Sequence, residues 1–110
     1  MAAAGIAHAL AALSARDYRF RIAEGTPTNH LLVNVVSGSW TQDSNSAVWN
    51  GSDPQYKNTS GSNESPSIIS VDYVENGTFP LMAIIPHDAV TLEPNDTIVY
   101  TEVSIAFTTT

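Results

Sequence analysis

The sequence predicts a mainly β protein, an antiparallel β-sandwich with a short N-terminal helix or arm. Three observations support this class. Apolar residues recur with a period of two from Asp17 onward. Turn signals return at the spacing that is typical of sandwiches and barrels. Residues 2–14 are the only stretch with clear helical character. A length of 110 residues allows one domain, 1–110, with one core.

Residues 1–15 are predicted to form the N-terminal helix or arm. Alanine and leucine favour helices, and Ile6, Leu10 and Leu13 follow one another at helical spacing on one face. A secretory signal peptide is not expected, because no positive charge precedes the apolar part and His8 interrupts it. A single short helix cannot form a core, so this stripe is expected to pack on another surface.

The first strand is predicted directly after this segment. Tyr18, Phe20 and Ile22 alternate with Arg19 and Arg21, which is the pattern of a half-buried strand. Successive side chains of a strand point to opposite faces. The two arginines are therefore expected to lie together on the face opposite the aromatic residues.

A second strand and a long polar loop are predicted next. Residues 30–36 are rich in β-branched side chains, which favour strands. Trp40 and Trp49 then flank a polar turn. Residues 50–66 contain almost no apolar side chain, so this loop is expected to be functional or disordered, with Tyr56 as its one anchor.

The second half of the chain predicts further strands. Residues 67–74 are β-rich, and the Asn76-Gly77 pair that follows is a strong hairpin signal. Pro80 indicates that the next strand is an edge or bulged strand, since proline cannot donate a hydrogen bond to the sheet. Residues 97–107 are predicted to form the longest strand.

The charges are unevenly distributed. The formal net charge is −7, yet three of the four basic residues are Arg16, Arg19 and Arg21. The rest of the chain is acidic and would repel phosphate, so nucleic-acid binding is not expected. The three arginines predict a cationic face for an acidic partner, because a guanidinium can bind a carboxylate in bidentate fashion. Solvated arginines are the alternative.

No motif predicts catalysis. The sequence has no cysteine, and His8, His30 and His87 share no metal-ligand spacing. Neither a nucleophile motif nor a nucleotide-binding fingerprint is present. The protein is therefore predicted not to be an enzyme, with no cofactor, no metal and no small-molecule substrate. No apolar run is long enough to cross a bilayer, so no membrane partner is expected.

Two tryptophans and a tyrosine near the polar loop allow two hypotheses. Exposed Trp40, Trp49 and Tyr56 side chains on a β-sandwich would stack on sugar rings, as in a carbohydrate-binding module. Tryptophans in such positions are more commonly core residues or interface anchors.

Residues 68–107 resemble small structural proteins of tailed bacteriophages. The layout is an apolar strand, Asn76-Gly77, the Phe79-Pro80 pair with its following apolar run, and a turn around Pro94 that leads into a closing strand. Phage tail-fibre attachment proteins have a similar order of strands and turns. In length, composition and class the chain also resembles the capsid decoration, or staple, proteins of epsilon15-like short-tailed phages.

The second resemblance implies a specific function. A decoration protein is a jelly-roll-like homodimer that binds the outside of the major capsid protein and stabilises the phage head, so its location is the virion. A tail-fibre attachment protein and a carbohydrate-binding module remain alternatives. The predicted partner contacts are Arg16, Arg19, Arg21, Trp49 and Tyr56.

Overall fold

A computed structural model of the chain describes residues 16–43 and 45–106. The predicted helix or arm at 1–15 lies outside this part. The described residues form strands and loops and contain no helix. The eight strands are β1 (Arg16–Ala23), β2 (His30–Asp43), β3 (Ser46–Gly51), β4 (Gln55–Lys57), β5 (Ile68–Tyr73), β6 (Leu81–Pro86), β7 (Thr97–Val99) and β8 (Ser104–Ala106).

Six strands form one antiparallel sheet in the order β6-β5-β1-β2-β3-β8, which curves until it is nearly closed into a barrel. The remaining pair, β4 and β7, forms a small separate sheet. The prediction of a mainly β, antiparallel fold is confirmed. β1 lies between β2 and β5, and the edge strands β6 and β8 face each other across the gap that remains in the barrel.

The core lies inside the curve of the sheet. Tyr18, Phe20 and Ile22 of β1 are buried there, as their alternation predicts. Tyr18 and Phe20 contact the indole of Trp49 edge to face, with ring centroids 5.4 and 5.0 Å apart. Aromatic pairs prefer this geometry because the positive edge of one ring meets the negative face of the other. Trp40 completes the aromatic cluster.

Two glycines create the space for Trp49. Gly38 on β2 and Gly51 on β3 are directly opposite each other in the register. A Cβ atom on either would come within 2.5 Å of the Trp49 indole. The indole therefore packs directly on the backbone, and its Nε1 donates a hydrogen bond to the carbonyl of Ser52 at 3.1 Å.

The predicted hairpin after residue 74 is confirmed. Asn76 and Gly77 both have positive φ, 50° and 78°, as a two-residue hairpin turn requires. The turn joins β5 to β6, which is an edge strand with a register shift opposite Val71 and Asp72. Both features agree with the prediction from Pro80.

The predicted long final strand is wrong. Within this range, residues 97–106 are divided between β7, which pairs with β4, and β8, which pairs with β3. Between them the chain crosses from one sheet to the other. The N–H of Tyr100 bonds to the carbonyl of Pro54, and the carbonyl of Val103 accepts from the N–H of Trp49. These long-range backbone bonds overcome the local preference for one continuous strand.

The polar stretch at 50–66 is also more structured than the sequence suggests. It includes β4, and it places the side chain of Asn58 in a completely buried position. The Asn58 amide nitrogen donates to the carbonyls of Ser62 (2.8 Å) and Leu92 (3.0 Å). Its oxygen accepts from the backbone N–H and the hydroxyl of Ser60. Hydrogen bonds around one buried amide order the segment where apolar burial is scarce.

Candidate protein-binding face

The convex, outer face of the large sheet carries an unusual group of side chains. In the register, Leu81, Asp72, Arg19 and Val35 form one row across β6, β5, β1 and β2. Ile84, Ser70, Arg21 and Val33 form the next row. Each row has polar groups in the middle and an aliphatic side chain at either end. With Phe79, we call this group the outer-face patch: Arg19, Arg21, Val33, Val35, Ser70, Asp72, Phe79, Leu81 and Ile84.

A buried carboxylate holds the centre of the patch. Asp72 is only 1 % exposed, and both of its oxygens accept hydrogen bonds from arginine. Arg19 Nε donates to Oδ2 at 2.7 Å, and Arg21 Nη2 donates to Oδ1 at 2.8 Å. Hydrogen bonds between charged groups are about twice as strong as neutral ones. The two guanidinium groups are therefore held in place on the sheet.

An aromatic ring covers the first guanidinium. The Phe79 ring centroid lies 3.9 Å from Arg19 Cζ, which is a cation–π contact. Arg19 is consequently fixed by Asp72 on one side and by Phe79 on the other. This arrangement reduces the side-chain entropy that a free arginine would lose on binding a partner.

The ends of the two rows are open to solvent. Val33 and Val35 are each 47 % exposed and Leu81 is 56 % exposed, with Ile84 similar. Scattered exposed aliphatic residues are ordinary, but exposed aliphatic side chains on both sides of fixed arginines have the composition of the centre of a protein interface. The geometry is therefore suited to binding another protein.

The charges of the outer-face patch determine what kind of partner surface would be complementary to it. Two arginines against one aspartate leave a surplus of one positive charge at the centre. Asp17, on the same face of β1 and at the rim, accepts a hydrogen bond from the Ser37 hydroxyl and makes that end negative. The complementary surface is apolar, with a carboxylate opposite the arginines and none opposite Asp17.

The structure divides the three arginines that the sequence predicts to share one face. Arg19 and Arg21 lie in the outer-face patch. Arg16 lies on the opposite face of β1, with its Cζ 4.0 Å from the ring centroid of Tyr73. The prediction of a single face with all three is wrong because residues 16 and 19 differ in parity along the strand.

The two predicted aromatic contacts lie elsewhere. Trp49 is a core residue with 7 % exposure, so it offers little surface to a partner. Trp40 is equally buried at 3 %, and neither indole is free to stack on a sugar ring. Tyr56 lies in β4, half-buried against the core, and its hydroxyl donates to Glu64 Oε1 at 2.6 Å. Their roles as partner contacts stay predictions.

Sequence reasoning missed most of the patch. The sequence indicates only a strand at Phe79, Leu81 and Ile84, and no motif contains Asp72. The sequence does contain one signal for the ion pairs. Asp72 is a carboxylate within the apolar run at 68–74, and a buried carboxylate needs a cationic partner. The partner itself is not visible locally, since Arg19 is 53 residues away.

A cleft of about 290 Å³ lies where the barrel is nearly closed. Its wall contains a hydrogen-bonded pair, His87 Nε2 and the Tyr100 hydroxyl, 2.8 Å apart. The Nδ1 of His87 is 2.8 Å from the carbonyl of Asp88, so this nitrogen carries a proton and donates. We call it the seam cleft: Ile69, Ile85, His87, Tyr100, Glu102, Val103 and Ser104.

Two tyrosines make stability sensitive to high pH. Burial raises the pKa of Tyr100 to about 12, and burial together with the hydrogen bond to Glu64 raises the pKa of Tyr56 to about 12. An unfolded tyrosine has a pKa of about 10. The stabilising contribution is therefore complete below pH 10 and is lost as the pH rises towards 12.

We expect the urea midpoint to fall steadily from about pH 10 upward, measured by tryptophan fluorescence. Tyr56→Phe and Tyr100→Phe should each make this fall less steep. An unchanged slope in both variants would assign the alkaline loss of stability to other groups.

No family model matches the chain, and neither the curated proteins nor the solved structures compared with it include a match.

Within residues 16–43 and 45–106, no three metal-binding side chains cluster. The same residues contain no helix that is long and apolar enough to cross a membrane.

Proposed function

We propose that this protein is a capsid decoration protein of a tailed bacteriophage, which binds the outside of the major capsid protein shell and stabilises the head without catalysis. The observation that carries the proposal is the outer-face patch. It presents fixed arginines between exposed aliphatic side chains on the large sheet. Such a surface stabilises an assembly by burial and by pairing with a carboxylate on the capsid protein.

The finer architecture belongs to the same proposal. The β4–β7 sheet would be the second layer of a jelly-roll-like sandwich, since Tyr56 of β4 packs against the core of the large sheet. The protein would act as a two-fold homodimer, which uses one self-complementary surface twice and leaves the outer-face patch of each copy for the shell.

The number of copies per virion tests the location. Quantitative mass spectrometry of purified virions is expected to find the protein in hundreds of copies, in a fixed ratio to the major capsid protein. About a dozen copies would instead assign the protein to the tail, as a tail-fibre attachment protein. Absence from virions would contradict both assignments.

The patch is tested by a double substitution, Val33→Thr with Val35→Thr. Threonine keeps the branched shape that suits a strand but replaces a methyl group with a hydroxyl, so the fold is expected to survive. Loss of apolar contact should weaken binding to heads that lack the protein by about tenfold or more, measured by co-sedimentation. The arginines are less suitable targets because they hold the buried Asp72.

The matched control is Val99→Thr. Val99 is 45 % exposed, close to the 47 % of Val33 and Val35, but it lies in β7 of the small sheet. Its substitution should leave head binding unchanged. Equal binding by the double variant and the wild type, across a salt series, would show that the outer-face patch does not contact the shell.

A further inference from the structure

The gap in the barrel has two free strand edges. β6 pairs only with β5, and β8 pairs only with β3, among the strands of the described chain. The seam cleft lies between them, with Ile85 of β6 on one side and Ser104 of β8 on the other. Unpaired strand edges are templates for the addition of another strand.

The backbone of β6 is oriented for such an addition. The N–H of His87 bonds to the carbonyl of Ser67, on the side towards β5. Successive residues of a strand direct their N–H and C=O groups to alternate sides. The register is regular from Ala83 to Pro86, so Ile84 directs its N–H and C=O away from β5, to the free edge.

The seam cleft has an apolar floor and one free charge. Ile69, Ile85 and Val103 form the floor. Glu102 lies at the cleft and makes no hydrogen bond or ion pair with any described residue. His87 and Tyr100 are already bonded to each other. A long side chain with an apolar stem and a cationic end complements these groups, and arginine is the residue with that shape and a bidentate headgroup.

We propose that the seam cleft and the free edge of β6 together form a binding site for an extended segment of a partner protein that carries an arginine. The segment adds to the free edge of β6 through the backbone of Ile84. The arginine enters the seam cleft, its stem packs on Ile69 and Ile85, and its guanidinium pairs with Glu102. Main-chain bonds supply affinity in this mode and the side-chain pocket supplies specificity. The site shares Ile84 with the outer-face patch, but it uses the backbone of this residue and not its side chain, and it does not depend on the proposed function.

The probe is a peptide of threonine and valine residues with one central arginine. It is titrated into the ¹⁵N-labelled full chain, and binding is followed by NMR. Chemical shifts are expected to change in β6, in β8 and at Glu102. Amide exchange of the Ile84 N–H should slow when the peptide binds, because that group becomes hydrogen-bonded. A probe with glutamate in place of arginine should bind at least tenfold more weakly. Glu102→Gln should weaken binding of the arginine probe by up to about fivefold, which is the upper end for an exposed ion pair.

Ile84→Pro separates strand addition from simple pocket binding. Proline is tolerated on an edge strand where its missing N–H faces outward, and it removes the donor that the incoming strand needs. This variant should bind the probe at least tenfold more weakly, whereas Ile84→Ala, which keeps the N–H, should bind within about twofold of wild type. If Ile84→Pro does not fold, the exchange rate of the Ile84 N–H in the wild-type protein decides whether a strand is added.

Three results would each overturn the proposal. They are equal binding of the arginine and glutamate probes, unchanged exchange of the Ile84 N–H, and no chemical-shift changes in β6 and β8 up to the solubility limit of the probe.

Discussion

Replacing Asn58 with alanine is expected to lower the free energy of unfolding by about 3–5 kcal/mol. The Asn58 amide uses its full hydrogen-bonding capacity, two donors and two acceptors, in a position with no solvent exposure. Alanine would remove all four of these hydrogen bonds and leave the N–H of Ser60 without a partner. The carbonyls of Ser62 and Leu92 would each keep one donor, the Ser60 hydroxyl and the Glu64 N–H. Each hydrogen bond that is lost costs about 0.5–1.5 kcal/mol, and an unpaired N–H costs more. Urea denaturation followed by fluorescence measures the change.

Two further substitutions test the reason for this effect. Asn58→Asp keeps the shape and both acceptors but removes the donors, so its loss should be at least as large as that of alanine at neutral pH. Asn63→Ala, at an exposed position of the same segment, should change the free energy by less than about 0.5 kcal/mol. A loss below about 1 kcal/mol for Asn58→Ala would mean that the segment unfolds separately from the core.

Asn58 also shows why the sequence misrepresents this segment. Composition measures how much apolar surface a segment can bury, and by that measure residues 50–66 have no reason to be ordered. The order comes from long-range hydrogen bonds, among them the one between the Asn58 side chain and the carbonyl of Leu92, 34 residues away, and the backbone bonds of Asn58 to Asn95 and Asp96. An isolated asparagine in a serine-rich stretch has no pattern that distinguishes it from its exposed neighbours. A long-range polar contact of this kind is invisible to local analysis.

Local signals were reliable where the structure depends on local chemistry. The alternation of apolar and polar residues in β1 correctly predicts which side chains are buried, and the Asn76-Gly77 pair correctly predicts a turn with positive φ. The division of residues 97–106 between two sheets and the near closure of the barrel depend on which strands become neighbours. Strand order is set by contacts between distant parts of the chain, so sequence periodicity predicts a β fold without deciding between a sandwich and a barrel.

The candidate site was predicted in part for the same reason. Parity along β1 correctly places Arg19 and Arg21 together on the face away from Tyr18. The same alternation places Arg16 on the opposite face of β1. This follows from the sequence, but it conflicts with the prediction that groups the three arginines by their charge. The rest of the patch comes from β2, β5 and β6, so its aliphatic rows appear only when the register is known.

The second large effect is expected at Asp72. Asp72→Ala should lower the free energy of unfolding by about 3–5 kcal/mol, because it leaves Arg19 and Arg21 facing each other without a counter-charge. Both guanidiniums are partly buried, with side-chain exposures of 24 % and 14 %. Added salt should restore part of the lost stability, since it screens the repulsion between the two partly exposed charges. The measurement is urea denaturation at low and high ionic strength.

A triple variant, Arg19→Leu with Arg21→Leu and Asp72→Leu, tests whether the ion pairs themselves stabilise the sheet. Replacing a buried ionic group by packed apolar side chains is often neutral, whereas removing one partner is costly. The triple variant should therefore be more stable than Asp72→Ala, although it lacks every charge of the patch centre. Asp17→Ala, at the exposed rim, should cost less than about 0.5 kcal/mol. If the triple variant is as unstable as Asp72→Ala, the ion pairs contribute net stability. If it is more stable but no longer binds its partner, the charges serve recognition, which is the role that the outer-face patch requires.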